Sequence, residues 1–527
     1  MINALFSGSN MQALPNQRIA IYGYFLVFAF LCLQIFNLFP FQIDDAYITY
    51  HYAQNFIESG AFTFNKGMAN VEGFTSTAWF WLCVFFGTLF GIENIHWTGI
   101  TLGLLSFVLL NVLAFYQAAD RLTGCLYSLA LSALPGVAFY SVTGMEALFY
   151  VLLVATFALA LCQRIPFALG LIAALVAPWV RPETPWFFVM MLIAFLMADD
   201  KKTIFQQSLR YALALCISFG LLLVFRWHVF HDVLPNTYYE KQTNIVIGLL
   251  YLKDFLRAVY TWPLLLLAAF SFYTGNVKNR TLFLMAASWV IVAVIEGGDW
   301  MNHYRFLLPA AVLWIFSLDF KGIFYTQARL TRLIVSFLLV CFFAISVQVM
   351  AYQKAVTHQQ LSTINAEDTW LINWIKDSNI NSVAAVDIGR LAYSSGVEVL
   401  DLGGLTDRYI SMLDGRHLTK KIPYDYIADR APDIFVLRLR ERPEAGKITP
   451  ALIRADVETH VFLNPRFHQA YQLLFLLGPS YDRKPYYVRL IFVKREIADT
   501  VHVDSSQLHV EDGLRYMDIS ALRQLSR

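Results

Sequence analysis

Charge is scarce in this sequence: Asp, Glu, Lys and Arg make up 15% of its 527 residues, whereas soluble domains hold roughly a quarter. With 57% hydrophobic residues and a mean hydropathy of +0.52, that deficit excludes an ordinary soluble protein and points to lipid as the main solvent. The net charge is only +2 at pH 7 and Lys/Arg-rich runs are missing, so the sequence makes no case for a nucleic-acid partner. Cysteine is absent from the last third of the chain. All six cysteines (Cys32, Cys83, Cys125, Cys162, Cys216, Cys341) fall in apolar stretches, which excludes a disulfide framework in that third and reads them as packing residues, not metal ligands. Neither an internal repeat nor a low-complexity linker is present. The N-terminal apolar run lacks a small-residue cleavage site, so it is expected to be retained as a first span.

What charge there is divides unevenly. Residues 1–352 hold 18 Lys+Arg and 16 Asp+Glu, while residues 353–527 hold 22 of each. This predicts a membrane domain over 1–352 and a soluble domain over 353–527. A crossing helix needs about 20 apolar residues. Candidate stretches lie near 19–39, 77–91, 97–118, 125–141, 145–162, 166–180, 184–198, 208–230, 258–274, 281–296, 304–319 and 331–352. Loops at 120–124, 163–165, 199–202, 275–280 and 321–332 carry Lys or Arg and are assigned to the cytoplasmic side. With a cytoplasmic N-terminus that assignment has one crossing too many, so 77–91 is taken as re-entrant, leaving about eleven crossings. The first loop, 40–76, and the soluble domain are then external. The soluble domain reads as mixed α/β, with strands at 383–389 and 433–439 and an amphipathic helix at 364–379 that carries Leu371, Trp374 and Ile375 on one face.

The remaining ionisable residues gather at the external ends of these spans. Asp44 and Asp45 open the first loop and Glu72 closes it; Glu146 follows Gly144; Arg181 and Glu183 flank Pro182; Tyr238, Tyr239, Glu240 and Lys241 lie in a later loop; Asp299, His303 and Arg305 follow Gly297-Gly298. Ionisable groups beside lipid are costly unless they face a cavity or a partner. Two adjacent carboxylates at such a boundary need a cation or a raised pKa, and the latter suits a general base. Equally, Asp44 could cap the helix that follows, with Asp45 a first-turn charge favoured by the helix dipole. Arg181, Lys241 and Arg305 supply the charge that a phosphate at the bilayer surface needs. His51 and His303 are not at metal-ligand spacing, so no metal site is assigned and a divalent metal requirement stays open. Gly297-Gly298 lacks the context of a nucleotide loop and reads as a turn.

Six motifs, taken together and in order, resemble a known family. They are DDAYITYHYAQNFIESGAFTFNKGMANVEGFTSTAW (44–79), SVTGMEALF (141–149), VRPE (180–183), LPNTYYEK (234–241), GGDWMNHYRFLLP (297–309), and DIGRLAY with LDLGGLTDRY (387–393 and 400–409). The chain from about residue 40 to 410 resembles the polyprenyl-phosphate-dependent arabinofuranosyltransferases of GT-C fold, such as the mycobacterial terminal arabinofuranosyltransferase and the pilin arabinosyltransferases of pseudomonads. The resemblance implies a multi-pass protein of the bacterial inner membrane with its active site and C-terminal domain in the periplasm. It implies a decaprenyl- or undecaprenyl-phosphoryl arabinofuranose donor and a periplasmic acceptor, either a pilin or a cell-wall glycan. It makes Asp44, with Asp45 beside it, the catalytic carboxylate, and Lys241 and Arg305 the donor-phosphate ligands. The sequence departs from the family's pattern at Thr184, where Gly is common after VRPE, and at His51, where Arg is common.

Two other functions need similar residues. A lipid-linked sugar flippase would place ionisable groups near span midpoints in related halves. An oligosaccharide transferase of the same fold would take a pyrophosphate-linked glycan.

Overall fold

The computed structural model describes residues 14–38, 42–241, 243–258, 260–299, 301–325, 329–441, 443, 447–478, 488–503, 508–511 and 513–518. The chain opens with α1 (Leu14–Leu38) and then α2 (Asp44–Ser59), which lies in the first loop. A helical bundle follows: α3 (Thr77–Phe90), α4 (Ile95–Gln117), α5 (Arg121–Ala133), α6 (Pro135–Tyr140), α7 (Ala147–Leu161), α8 (Phe167–Val180), α9 (Phe187–Met197) and α10 (Lys201–Phe230). After a short α11 (Asn236–Glu240) come α12 (Ile245–Arg257), α13 (Thr261–Thr274), α14 (Val277–Ile295), α15 (Leu308–Ser317), α16 (Phe320–Tyr325) and α17 (Arg329–Asp377).

All twelve apolar stretches contain helix. The stretch at 125–141 breaks into α5 and α6 because Pro135, at the first position of α6, has no N–H to continue the ladder. The polar turns between helices are caps: Asp120, Asp200 and Asn276 accept from the backbone N–H of Thr123 (2.9 Å), Thr203 (3.1 Å) and Asn279 (3.1 Å). Among the described residues, the helical stretches Ile92–Gln117, Lys201–Phe230, Val277–Ile295 and Arg329–Tyr352 are each long and apolar enough to cross a membrane alone. Six shorter apolar helices stand beside them. Along α10, Phe205, Leu209, Leu213, Ile217, Leu221 and Val224 form one stripe at helical spacing, each between 52% and 67% exposed. An apolar face of that extent is stable in lipid and not in water.

α17 runs for 49 residues without a break past Tyr352, so the amphipathic helix expected at 364–379 is its last part. Its buried residues Leu371, Trp374 and Ile375 form the apolar side, and Trp370 and Trp374 set their rings 5.5 and 5.2 Å from Phe475 of the sheet above.

Among the described residues that sheet has seven strands: β1 (Ser382–Ala385), β2 (Glu398–Asp401), β3 (Ile434–Leu439), β4 (Tyr471–Gly478), β5 (Val488–Lys494), β6 (Leu508–Glu511) and β7 (Leu514–Asp518), in the order β2-β1-β3-β5-β4-β7-β6. β2, β1 and β3 are parallel, and β5 is antiparallel to β3 and β4. The connections carry α18 (Gly389–Ser395), α19 (Arg408–Ser411), α20 (Tyr424–Arg430), α21 (Asp456–Leu463) and α22 (Pro465–Ala470). β3 matches the strand expected at 433–439. β1 stops at Ala385, short of the expected 389, because the chain turns there into α18. The segments DIGRLAY and LDLGGLTDRY leave the C-terminal ends of the neighbouring parallel strands β1 and β2, where open α/β sheets place their functional loops. Here both loops meet the bundle: α18 packs on α2, and α19 packs on α11.

Candidate active site

Adjacent residues on a helix point about 100° apart, so the two aspartates that open α2 cannot face the same group. Asp44 turns toward the α/β unit. Its Oδ2 accepts from the Gly389 N–H at 2.9 Å and its Oδ1 from the Arg390 N–H at 2.8 Å. It therefore caps α18, some 345 residues away, whereas Ile43 occupies the cap position of α2. Gly389 is required for this approach, because a Cβ there would lie 2.0 Å from the Asp44 carbonyl oxygen. Burial, then the nearby Asp387 carboxylate, pushes the Asp44 carboxyl up to about 7, against the two N–H donors.

Asp45, the next residue on α2, points away from Asp44 by about 100°. Burial raises its carboxyl above the ordinary range; the charges of Lys241, Arg305 and His417 pull it back, and Asp299 adds to the rise. Of the two aspartates, Asp45 is thus the one on which the charges of Lys241 and Arg305 act.

Those cations differ in how far they are already neutralised. Arg305 opens a 3-10 turn after two residues held at positive φ, His303 (63°) and Tyr304 (54°). Its Nε lies 2.7 Å from Asp299 Oδ2, both side chains buried. Arg181 is also buried, and two carboxylates hold it: Glu146 at 2.9 Å and Glu183 at 2.7 Å. Both guanidiniums lie over the Phe306 ring, 5.0 and 5.3 Å from its centroid. Lys241 is exposed. Among the described residues it is the one cation of the three not held by a carboxylate in an ion pair. His303 packs 5.0 Å from the Phe139 ring, and burial lowers it to about 4, so it adds no positive charge at neutral pH.

The LPNTYYEK motif fastens the α/β unit to the bundle. Asn236 Nδ2 donates to the carbonyls of Gly404 (3.0 Å) and Leu405 (2.8 Å), and its Oδ1 accepts from Ser411 Oγ at 2.6 Å. Glu240, fully buried, meets His417 Nδ1 at 2.6 Å and Lys420 Nζ at 3.2 Å. Tyr239 donates to Asp232 at 2.7 Å, and the Arg408 guanidinium covers its ring. The pairing of LPNTYYEK with LDLGGLTDRY is therefore a physical contact.

Glu72 has a structural partner. It binds Arg226 of α10 at 2.8 and 3.2 Å and accepts from Thr77 Oγ1 at 3.0 Å, while its carbonyl accepts from the Asn236 N–H at 3.0 Å. Glu72 and Arg226 are both buried. Arg226→Leu leaves a bare carboxylate in that position and is expected to cost about 3–5 kcal/mol of stability. Thermal unfolding of the purified protein in detergent checks this, and the double variant Arg226→Leu/Glu72→Gln should recover much of the loss.

In SVTGMEALF, the Gly144 carbonyl accepts from both Tyr50 Oη (2.9 Å) and Trp79 Nε1 (3.1 Å). Gly144 sits at φ +79°, and a Cβ there would fall 2.2 Å from Tyr50 Oη. His51 lies apart from the cations: it is buried, 3.3 Å from Asn55 and edge-on to Phe64. Thr184 donates to the Arg181 carbonyl at 2.8 Å. Among the described residues no group of three or more His, Cys, Asp or Glu is arranged to hold a metal ion.

No curated protein matches the sequence. A family model described as a domain of unknown function (DUF8728) matches residues 352–490, which begin where the charge density rises. Two crystal structures of ArnT from Cupriavidus metallidurans are similar along almost their whole length. The apo form aligns with TM-score 0.50 and 11% identity over 94% of this chain and 100% of that one. The form bound to undecaprenyl phosphate aligns with TM-score 0.54 and 11% identity over 92% and 99%. The chain has the fold of ArnT.

Within that ArnT-like fold, sequence reasoning missed His417, Lys420, Arg226 and Asp387. Arg226 was hidden inside an apolar run, and His417 lies in a loop with no marking pattern. Only the pairing of Glu240 with His417, 177 residues apart, identifies the latter.

Proposed function

We propose that the chain is a glycosyltransferase of the bacterial inner membrane that moves arabinofuranose from a polyprenyl-phosphate donor to a periplasmic acceptor, a pilin or a cell-wall glycan. The observation that carries the reading is the pair of cations where the bundle meets the α/β unit, a buried Arg305 and an exposed Lys241 that follows the Asn236–Glu240 junction, with their charges acting on the buried Asp45. The ArnT structure with undecaprenyl phosphate bound supports a lipid phosphate as the ligand of such a site. Lys241 and Arg305 offset the charge that grows on the departing phosphate. Asp45 stabilises the positive charge that develops on the sugar ring. Asp44 instead positions the loop after β1, and Arg181, already neutralised by Glu146 and Glu183, shares the Phe306 ring with Arg305.

The test is a single-compartment assay: purified protein in detergent with synthetic undecaprenyl-phosphoryl arabinofuranose and a short glycan or peptide acceptor. Release of undecaprenyl phosphate together with a glycosylated acceptor is expected. Absence of turnover, combined with movement of intact donor across reconstituted vesicles, would instead establish a flippase. Turnover of a pyrophosphate-linked donor alone would establish an oligosaccharide transferase.

A further inference from the structure

His417, of the α/β unit, reaches the α11 segment that ends at Lys241: its Nδ1 lies 2.6 Å from Glu240. Its surroundings define its chemistry. Glu240 is 0% exposed and lies directly before Lys241 in the chain. Lys420, itself almost wholly buried, donates to the carbonyls of Ser411 (2.6 Å) and Leu413 (2.9 Å) and pairs with Glu240 at 3.2 Å. Lys420 is thus anchored on three sides, with its ammonium against Glu240. With the Glu240 carboxylate as acceptor of the 2.6 Å contact, the proton sits on His417 Nδ1. In the neutral ring Nε2 then carries a lone pair, and among the described residues no hydrogen bond to Nε2 is formed. The His417 side chain is 27% exposed, unlike the two groups behind it. A carboxylate behind an imidazole fixes its tautomer and stabilises its protonated form.

We propose that His417, backed by Glu240, is a catalytic residue that the α/β unit contributes to the site, its Nε2 taking the proton from the acceptor hydroxyl. This rests on the glycosyl-transfer reading above and adds the identity of the base. As the acceptor oxygen bonds to the anomeric carbon, its O–H electron pair stays on oxygen and the proton passes to Nε2. The anomeric C–O bond to phosphate breaks with its electron pair on the phosphate oxygen, releasing the polyprenyl phosphate. Asp45 is then free to remain ionised throughout, as charge stabilisation at the sugar requires.

Chemical rescue with azide, a nucleophile with no proton to lose, tests the assignment. With undecaprenyl-phosphoryl arabinofuranose and an alcohol acceptor, His417→Ala is expected to lose transfer by about 10²–10⁴-fold, and azide should restore turnover with a glycosyl azide as product. His417→Gln keeps a donor toward Glu240 but cannot accept the proton. It should bind undecaprenyl phosphate as the unaltered protein does and show the same loss and the same rescue. Near-unaltered transfer by both variants overturns the proposal. So does azide rescue of Asp45→Asn in place of the His417 variants, which makes Asp45 the base. A protein with no turnover before any substitution overturns the glycosyl-transfer reading itself.

Discussion

Asp45→Asn is expected to reduce donor turnover by about 10²–10³-fold, the usual cost of removing one preorganised electrostatic group from a transition state. Undecaprenyl phosphate should still bind, because removing a carboxylate beside Lys241 and Arg305 does not weaken an anion site. Asp44→Asn is expected to behave differently. The amide can place only one acceptor oxygen against two backbone donors, Gly389 N–H and Arg390 N–H. The cap is therefore weakened by about 0.5–2 kcal/mol, which should appear as faster proteolysis around residues 386–395 and a moderate loss of activity. Steady-state kinetics of the two variants at matched folded fraction checks the contrast. Equal loss of turnover, with no change in proteolysis for Asp44→Asn, would return the chemical role to Asp44.

The second large effect is at Lys241. It is exposed and outside any ion pair among the described residues, so Lys241→Ala should leave stability within about 0.5 kcal/mol. Its charge is nevertheless the one most available to a phosphate. Transfer is expected to fall about 10²–10³-fold in kcat/KM, with weaker binding of undecaprenyl phosphate, and the loss should deepen little at higher salt. Arg305 cannot be tested as cleanly by truncation. Arg305→Ala strands buried Asp299 and adds a stability cost of about 3–5 kcal/mol, so Arg305→Lys is the informative change. Arg181→Lys, by contrast, should act on stability more than on donor binding, since Glu146 and Glu183 already neutralise the guanidinium.

Much of the candidate site could be read from residue type and position alone. Asp45 and Arg305 fall at the ends of apolar runs, where an ionisable group needs a reason to be, and Lys241 lies in a loop on the same side. What composition and spacing cannot supply is the partner of each group. Asp44 and Asp45 look identical in the sequence, and only the approach of α18 separates them, through a contact spanning 345 residues. Glu72 looks like a member of the acidic cluster until Arg226, inside what reads as an uninterrupted span, pairs with it. Arg181 reads as an unpaired cation until its two carboxylates are counted.

The fold shows the same division. Helices in the bundle follow from apolar length and from Asp and Asn caps at the turns, and β3 follows from a bounded apolar run. β4 and β5, YQLLFLLG and VRLIFVK, lack the alternation of a half-buried strand, because β5 pairs on both edges inside the sheet and is buried along nearly all its length. Periodicity is silent on such strands. The continuity of α17 through the change in charge density is likewise invisible to composition, which marks a change of solvent and not the end of a helix.

The most direct measurement is the position of the phosphate in a structure of the protein with undecaprenyl phosphate bound. The account predicts phosphate oxygens within about 3 Å of Lys241 Nζ and the Arg305 guanidinium. A phosphate held by Arg181, or one lying at the opposite end of the bundle from α2 and α11, would contradict it.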